Sequence, residues 1–233
     1  AITMASFVSI EGSGQGTTII TSSGNAATVT CANDSELRFL TVKNSRTDGS
    51  GDSLGIDTDG KTVSIFKVTV EAEAQAASSK LAIGIWVEGP GKPVLRSVNV
   101  IAKNGYPYAL YVYGSTDVEA ALRDVTATAS AGTDARAVYV HASVDTGSSL
   151  DLQQVTASAE SGSSGNIGLH ILGTPKITIR QCTFEGATNS LLTSGTGAVF
   201  RAAGTQFDGP INLTATDKAS INCYNGSFEQ VTP

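Results

Sequence analysis

The chain has 233 residues, of which 15% are charged and 6% aromatic, and it carries a formal charge of −6. A pI of about 4.9 without any Lys/Arg cluster excludes a nucleic-acid backbone or an anionic membrane surface as partner. No apolar run approaches the ~18 residues of a membrane span, and the first nine residues lack the charged start and apolar stretch of a signal peptide.

In chain order, the opening segment 1–36 holds strand-like pieces at 7–10, 17–21 and 28–31, expected to make the opening coils. Within it "GSGQG" lacks the GK[ST] ending of a phosphate loop and precedes no helical pattern, so it reads as a tight turn. Residues 37–195 then repeat. One series runs "LRFLTV" from Leu37, "IFKVTV" from Ile65, "LRSVNV" from Leu95, "LRDVTA" from Leu122, "LQQVTA" from Leu152 and "IRQCTF" from Ile179. The second runs "GIDT" from Gly55, "GIWV" from Gly84, "ALYV" from Ala109, "AVYV" from Ala137, "GLHI" from Gly168 and "SLLT" from Ser190. Turns rich in Gly, Ser, Asn and Asp separate the two. Residues 196–233 step by shorter intervals and are expected to close the structure.

Two short strands per repeat, each recurring at nearly the same period, is the pattern of a chain that coils and lays each strand beside its predecessor. The expected fold is all-β: a single-stranded parallel β-helix of about seven to nine coils in one domain spanning 1–233. The crossover rule makes it right-handed. Alternation at two in "VTATAS" disfavours helical repeats, and blades of four strands are absent, which disfavours a propeller.

The inward ladders follow from the alignment. Leu37, Ile65, Leu95, Leu122, Leu152 and Ile179 form one; Leu40, Val68, Val98, Val125, Val155 and Cys182 the next; Val42, Val70, Val100, Ala127, Ala157 and Phe184 the third. A spacing of three between the first two breaks alternation, so a bend is expected there, with two sheets meeting at it. Cys182 occupies a Val slot and reads as a small buried hydrophobe. Cys31, Cys182 and Cys223 are too few and too scattered for a disulfide framework or a zinc site.

"VSIEGSGQGTTII", then "ATVT" and "LRFLTVKNS", resemble the opening coils of pectin-lyase-like right-handed β-helices. The later "LRDVTATASAGTDARAVYV", "QQVTASAESGSSGNIGLHI" and "IRQCTFEGATNSLLTSGTG" are similar to the repeats of bacterial surface or fibre-associated β-helix proteins. The likeness covers roughly residues 7–225 and implies fold more than activity, with an extracellular or cell-surface setting.

Lyases of that class need calcium-binding carboxylates and a basic proton acceptor; its hydrolases and esterases need two or three close Asp. Asp48, Asp52, Asp57 and Asp59 in "DGSGDSLGIDTDG" are the densest acids. The calcium-loop pattern fails where Gly55 and Phe66 stand, which leaves Asp57 and Asp59 as weak metal candidates in a solvated turn. Glu119, Asp124, Asp145 and Asp151 fall in different turns. No cofactor is expected, and no catalytic residue is assigned.

Arg38, Arg96, Arg123 and Arg180 recur just after the first inward ladder, as an anion-binding row or as solvated arms over the rungs; Phe66 and Gln153 interrupt the row and favour the latter. Thr41, Thr69, Asn99, Thr126, Thr156 and Thr183 make an outward polar ladder, but Lys43, Glu71, Ile101 and Glu185 break any ice-binding array beside it.

The aromatic residues concentrate elsewhere. If Ile56, Ile85, Leu110, Val138 and Leu169 point inward, Asp57, Trp86, Tyr111, Tyr139 and His170 share one outward column, with Asp59, Glu88, Tyr113 and His141 in the next. Trp86, Glu88, Tyr111, Tyr113, Tyr139, His141 and His170 are therefore the ligand-binding candidates, for a polysaccharide lying along the face. Stacked rings also stabilise rungs, and self-association would bury the same face. The sequence favours a noncatalytic module over a divergent polysaccharide lyase or glycoside hydrolase using Asp57, Asp59, Glu88 and His141.

Overall fold

A short strand cannot bury one face alone in water, and this chain answers by laying each strand beside the one a coil earlier. The computed structural model describes residues 1–233 except 47, 77, 115–116, 143–146, 196, 215–217, 226–229 and 232–233, and the backbone alone at 218–225 and 230–231. Asp145 and the Cys223 side chain thus lie outside the described residues. Those described form a β-solenoid of about seven turns and no helix.

The first sheet runs through Ser9–Glu11, Ser35–Arg46, Val63–Ala74, Val94–Lys103, Glu119–Ser130, Ser149–Glu160, Lys176–Arg180, Val199–Asp208 and Lys218–Asn225. The second runs through Ile2–Thr3, Val29–Thr30, Ser53–Asp57, Leu81–Glu88, Tyr106–Gly114, Asp134–Ala142, Gly165–Gly173, Asn189–Ser194 and Ile211–Asn212. The pairings between these strands are all parallel; an antiparallel pairing of Cys223 with Val231 and Tyr224 with Gln230 ends the first sheet.

The interior is the set of ladders expected from the repeats. Leu37, Ile65, Leu95, Leu122, Leu152 and Ile179 pair rung by rung and are buried. Val42, Val70, Val100, Ala127, Ala157 and Phe184 do the same, and Phe207 stacks next on Phe184. Each buried Leu, Ile or Val stabilises the fold by about 1.5–3 kcal/mol. One continuous cluster runs from Met4 to Phe207.

The bend between the first two ladders is a column of left-handed residues: Phe39, Lys67, Ser97, Asp124, Gln154 and Gln181 have φ between 49° and 55°, and Gly204 has 57°. A single left-handed residue turns the chain and moves three-residue spacing onto one buried face. The expectation of two sheets meeting there is corrected: the strand continues through the corner as part of one sheet. Two coils separate it among the described residues, the opening one into Ser9–Glu11 and Ile19–Ser22 and a later one into Lys176–Arg180 and Thr183–Gly186.

A second corner lies where Gly55, Gly84, Ala109, Ala137, Gly168 and Ser190 recur. A Cβ on Gly84 would stand 2.3 Å from Val100 Cγ1 and 2.6 Å from the Ala109 carbonyl, so the two sheets approach too closely there for a larger residue. Cys31 and Cys182 are buried free thiols. Burial, then the charges of Asp57 and Asp59, push the Cys31 thiol up to about 12, which makes it unreactive at neutral pH.

Candidate functional site

Parallel in-register pairing sets equivalent side chains directly above one another, about 4.8 Å apart. On the outer face of the second sheet it pairs Asp57 with Trp86, Trp86 with Tyr111, Tyr111 with Tyr139, Tyr139 with His170 and His170 with Leu192. That spacing is close to a ring-stacking distance, and the rings stack. Centroids lie 5.8 Å apart for Trp86 and Tyr111, 5.0 Å for Tyr111 and Tyr139, and 4.9 Å for Tyr139 and His170, with interplanar angles of 21°, 4° and 24°. Faces therefore cover faces, and the Trp86 Nε1 edge is buried without a partner.

Two residues along, Glu88, Tyr113, His141 and Leu172 form the adjacent column. His141 Nδ1 lies 3.5 Å from the Tyr111 hydroxyl, bridging the columns. Asp59 does not belong to it, which corrects the expected column: the strand ends at Asp57, and Asp59 sits in a turn at φ 50°, its N–H donating to Asp57 Oδ1 at 2.8 Å. Exposure differs from expectation as well. Tyr139 and His170 are only 8% and 6% exposed, while Trp86, Tyr111, Tyr113, His141 and Glu88 are half-buried.

A third outward column, which the sequence reading missed, completes the face: Leu54, Ile83, Tyr108, Arg136 and Ile167. Leu54 and Ile83 join Ala27 in a second apolar cluster against which Trp86, Tyr108 and Tyr111 pack. Arg136 lies 4.5 Å from the Tyr139 ring centroid and 5.2 Å from that of Tyr108, and is ion-paired to Asp134. The visible signal was the small residue opening each "GIWV"-type repeat, which marks a corner and shifts the outward set upstream.

The electrostatics divide the face. At one end burial holds the Asp57 and Glu88 carboxyls above their usual range, with neighbouring acids adding: Asp59 for Asp57, and Asp57 and Asp59 for Glu88. In the middle, burial pushes the Tyr111 hydroxyl up to about 12. At the other end burial, with the Arg136 charge adding, holds His170 down to about 4. His170 Nε2 lies 3.0 Å from Ser194 Oγ, but its Nδ1 is buried without a partner. A serine nucleophile needs a base oriented by a third group, and none orients His170. Among the described residues no group of three or more His, Cys, Asp or Glu is placed to hold a metal ion. Asp52 and Asp57 instead accept backbone N–H groups, from Leu81 and Asp59.

The arginine row lies on the outer face of the first sheet. Arg38 pairs with Glu11 and Glu36, and both Arg123 and Arg180 pair with Asp151. Adjoining grooves of about 670 and 410 Å³ share Val94 there; Lys92, Arg96, Arg123, Lys176 and Arg180 line them against Glu119, Asp124 and Asp151. Arg96 and Lys176 have no ion-pair partner among the described residues.

No family model matches the chain, and no curated protein or solved structure is similar to it. The solenoid is thus established by its own rungs, and the likeness to pectin-lyase-like proteins remains one of short repeat motifs.

Proposed function

We propose that this solenoid is a noncatalytic module, working at or outside the cell surface, that binds a carbohydrate chain along the outer face of its second sheet. The observation that supports the reading is the in-register column of stacked rings on four consecutive rungs, Trp86 to His170, with the half-buried polar groups of Glu88, Tyr113 and His141 beside it. A linear glycan is a run of hydroxyls. The half-buried edges of Glu88, Tyr111, Tyr113 and His141 offer it carboxylate, phenol and imidazole donors and acceptors on three consecutive rungs. Because neighbouring rings cover each other's faces, edge hydrogen bonds carry the contact more than stacking on sugar C–H groups does.

A hydrolase would need one carboxylic acid and one carboxylate flanking the scissile bond. Glu88, held protonated to higher pH than usual, suits the first role, but Asp57 is engaged in holding its own turn. A second reading is favoured by the grooves on the first sheet: an acidic glycan would find Arg96 and Lys176 unpaired there.

An array of neutral and acidic glycans tests both, with wild type beside Tyr111→Phe/Tyr113→Phe/His141→Phe and Arg96→Gln/Lys176→Gln variants. The first reading expects neutral-glycan signal lost in the first variant and kept in the second. The second expects acidic-glycan signal that falls with salt and is lost in the second variant. Absence of any wild-type signal overturns both.

A further inference from the structure

On the outer face of the first sheet, two columns run side by side along the coils. One reads Arg38, Phe66, Arg96, Arg123, Gln153 and Arg180 in register. The other is the left-handed corner, Phe39, Lys67, Ser97, Asp124, Gln154 and Gln181. Polar or charged side chains fill both columns except at Phe39 and Phe66. Those two rings meet edge to face, with centroids 5.4 Å apart and an interplanar angle of 76°, and neither joins the core or the second apolar cluster. Phe39 also holds φ 55°, a left-handed conformation costly for a bulky residue, while its ring stays half-buried.

Two cations lie over this ring pair. Lys67 Nζ is 5.3 Å from the Phe66 centroid and 5.7 Å from that of Phe39, and the Arg96 guanidinium carbon is 5.8 Å from Phe66. Both side chains are exposed, and neither has an ion-pair partner among the described residues. Asp124, the acid of the corner column, accepts the Ser97 hydroxyl at 2.8 Å instead. Contact with a ring holds two like charges in place and neutralises neither. The result is a positive spot on a chain of net charge −6. The groove of about 670 Å³ lined by Arg96, Ser97, Arg123 and Gln153 opens beside it.

We propose that this corner is a binding site for an organic polyacid, a ligand with two or more carboxylates, whose acidic groups pair with Lys67 and Arg96 while its body lies in the groove. Arg96 offers a planar fork to one carboxylate and Lys67 a point charge to another. The rings preorganise both charges, so less side-chain freedom is lost when the acids arrive. The inference rests on neither glycan reading. It concerns the acidic groups, whether a free polyacid or an acidic glycan carries them, and it needs Lys67 where the acidic-glycan reading needs Lys176.

Isothermal titration calorimetry with citrate, and with a hexasaccharide carrying glucuronate at alternate sugars, tests this. The expected result is saturable millimolar binding of at least one of them, weakened by added salt and absent for glucose. The tighter of the two identifies the source of the acids. Lys67→Gln/Arg96→Gln is expected to weaken binding at least about tenfold with the melting temperature unchanged. Lys103→Gln/Lys176→Gln makes the same change in net charge and is expected to bind as wild type does. Loss of hexasaccharide binding in the second variant alone would uphold the acidic-glycan reading and overturn this one. No saturable binding of either probe, binding that survives Lys67→Gln/Arg96→Gln, or equal loss in both variants would also overturn it.

Discussion

The inner ladder from Leu37 to Ile179 and the outer ladder from Trp86 to His170 have the same origin. Both arise because parallel coils place the same repeat position above itself. The inner ladder is aliphatic and packs in every direction, so its identity is nearly interchangeable with that of any well-filled core. The outer ladder packs chiefly along the stack, where ring faces cover each other, and sideways on Leu54, Ile83 and Arg136, while the flanking Tyr113, His141 and Glu88 and the Trp86 and Tyr111 rings stay half-buried. The difference teaches that an outward residue in a solenoid can be as structural as an inward one, and that whatever binding chemistry it keeps lies in its edges.

Truncation measures how far the comparison holds. Leu122→Ala, at a fully buried rung, is expected to cost about 2–5 kcal/mol in urea unfolding. Tyr139→Ala should cost about 3 kcal/mol despite its outward position, because it removes two ring stacks and the cover over Arg136 together. A cost under about 1 kcal/mol, typical of a surface residue, would break the parallel between the ladders.

Acid sharpens it from the outer side alone. His170 is held down to about 4 against an ordinary 6.5, so the unfolded chain protonates first as pH falls. Its contribution is fully present above pH 6.5 and lost progressively until both states are protonated near pH 4, about 3 kcal/mol at about 1.4 kcal/mol per pH unit. Asp57 and Glu88 act in the opposite sense: carboxyls held up in the fold favour it in acid and lose that contribution as pH rises through their raised values. Urea unfolding of wild type and His170→Phe at pH 4 and pH 7 separates these. The wild type is expected to lose about 3 kcal/mol more than the variant between the two.

The corner gives the smallest stability effect. Gln154 is exposed and left-handed at φ 54°. Gln154→Gly should stabilise by about 0.5–1 kcal/mol, the relief of a conformation that costs about 1–2 kcal/mol less the added chain entropy of glycine. Gln154→Val should destabilise, and equal melting temperatures for the two would count against the corner.

The repeats made the fold legible because solenoid coils write their register into the sequence: Leu95 and Leu122 occupy the same slot 27 residues apart and pair in space. The bend was visible for the same reason, as a spacing of three at Asp124 that no alternating strand permits. What stayed hidden was local. Nothing in "DTDG" says that Asp59 leaves the column to close a turn, since a carboxylate accepting a backbone N–H looks like any other Asp in a list of residues. Arg136 was passed over because its position follows from the second corner, and a Gly or Ala there reads as composition until a neighbouring sheet is seen against it. The burial of Tyr139 and His170 depends on ring orientation, which no periodicity encodes.

The most direct test compares Tyr111→Phe/Tyr139→Phe with Tyr111→Ala/Tyr139→Ala, following melting temperature and binding on the same neutral-glycan array. The Phe pair keeps every ring face and removes two hydroxyls, with their bonds to His141 and Arg136, so it is expected to melt only a few degrees below wild type and to lose glycan signal; the Ala pair should melt far lower and lose the signal as well. Wild-type binding by the Phe pair would contradict the assignment of recognition to the ring edges.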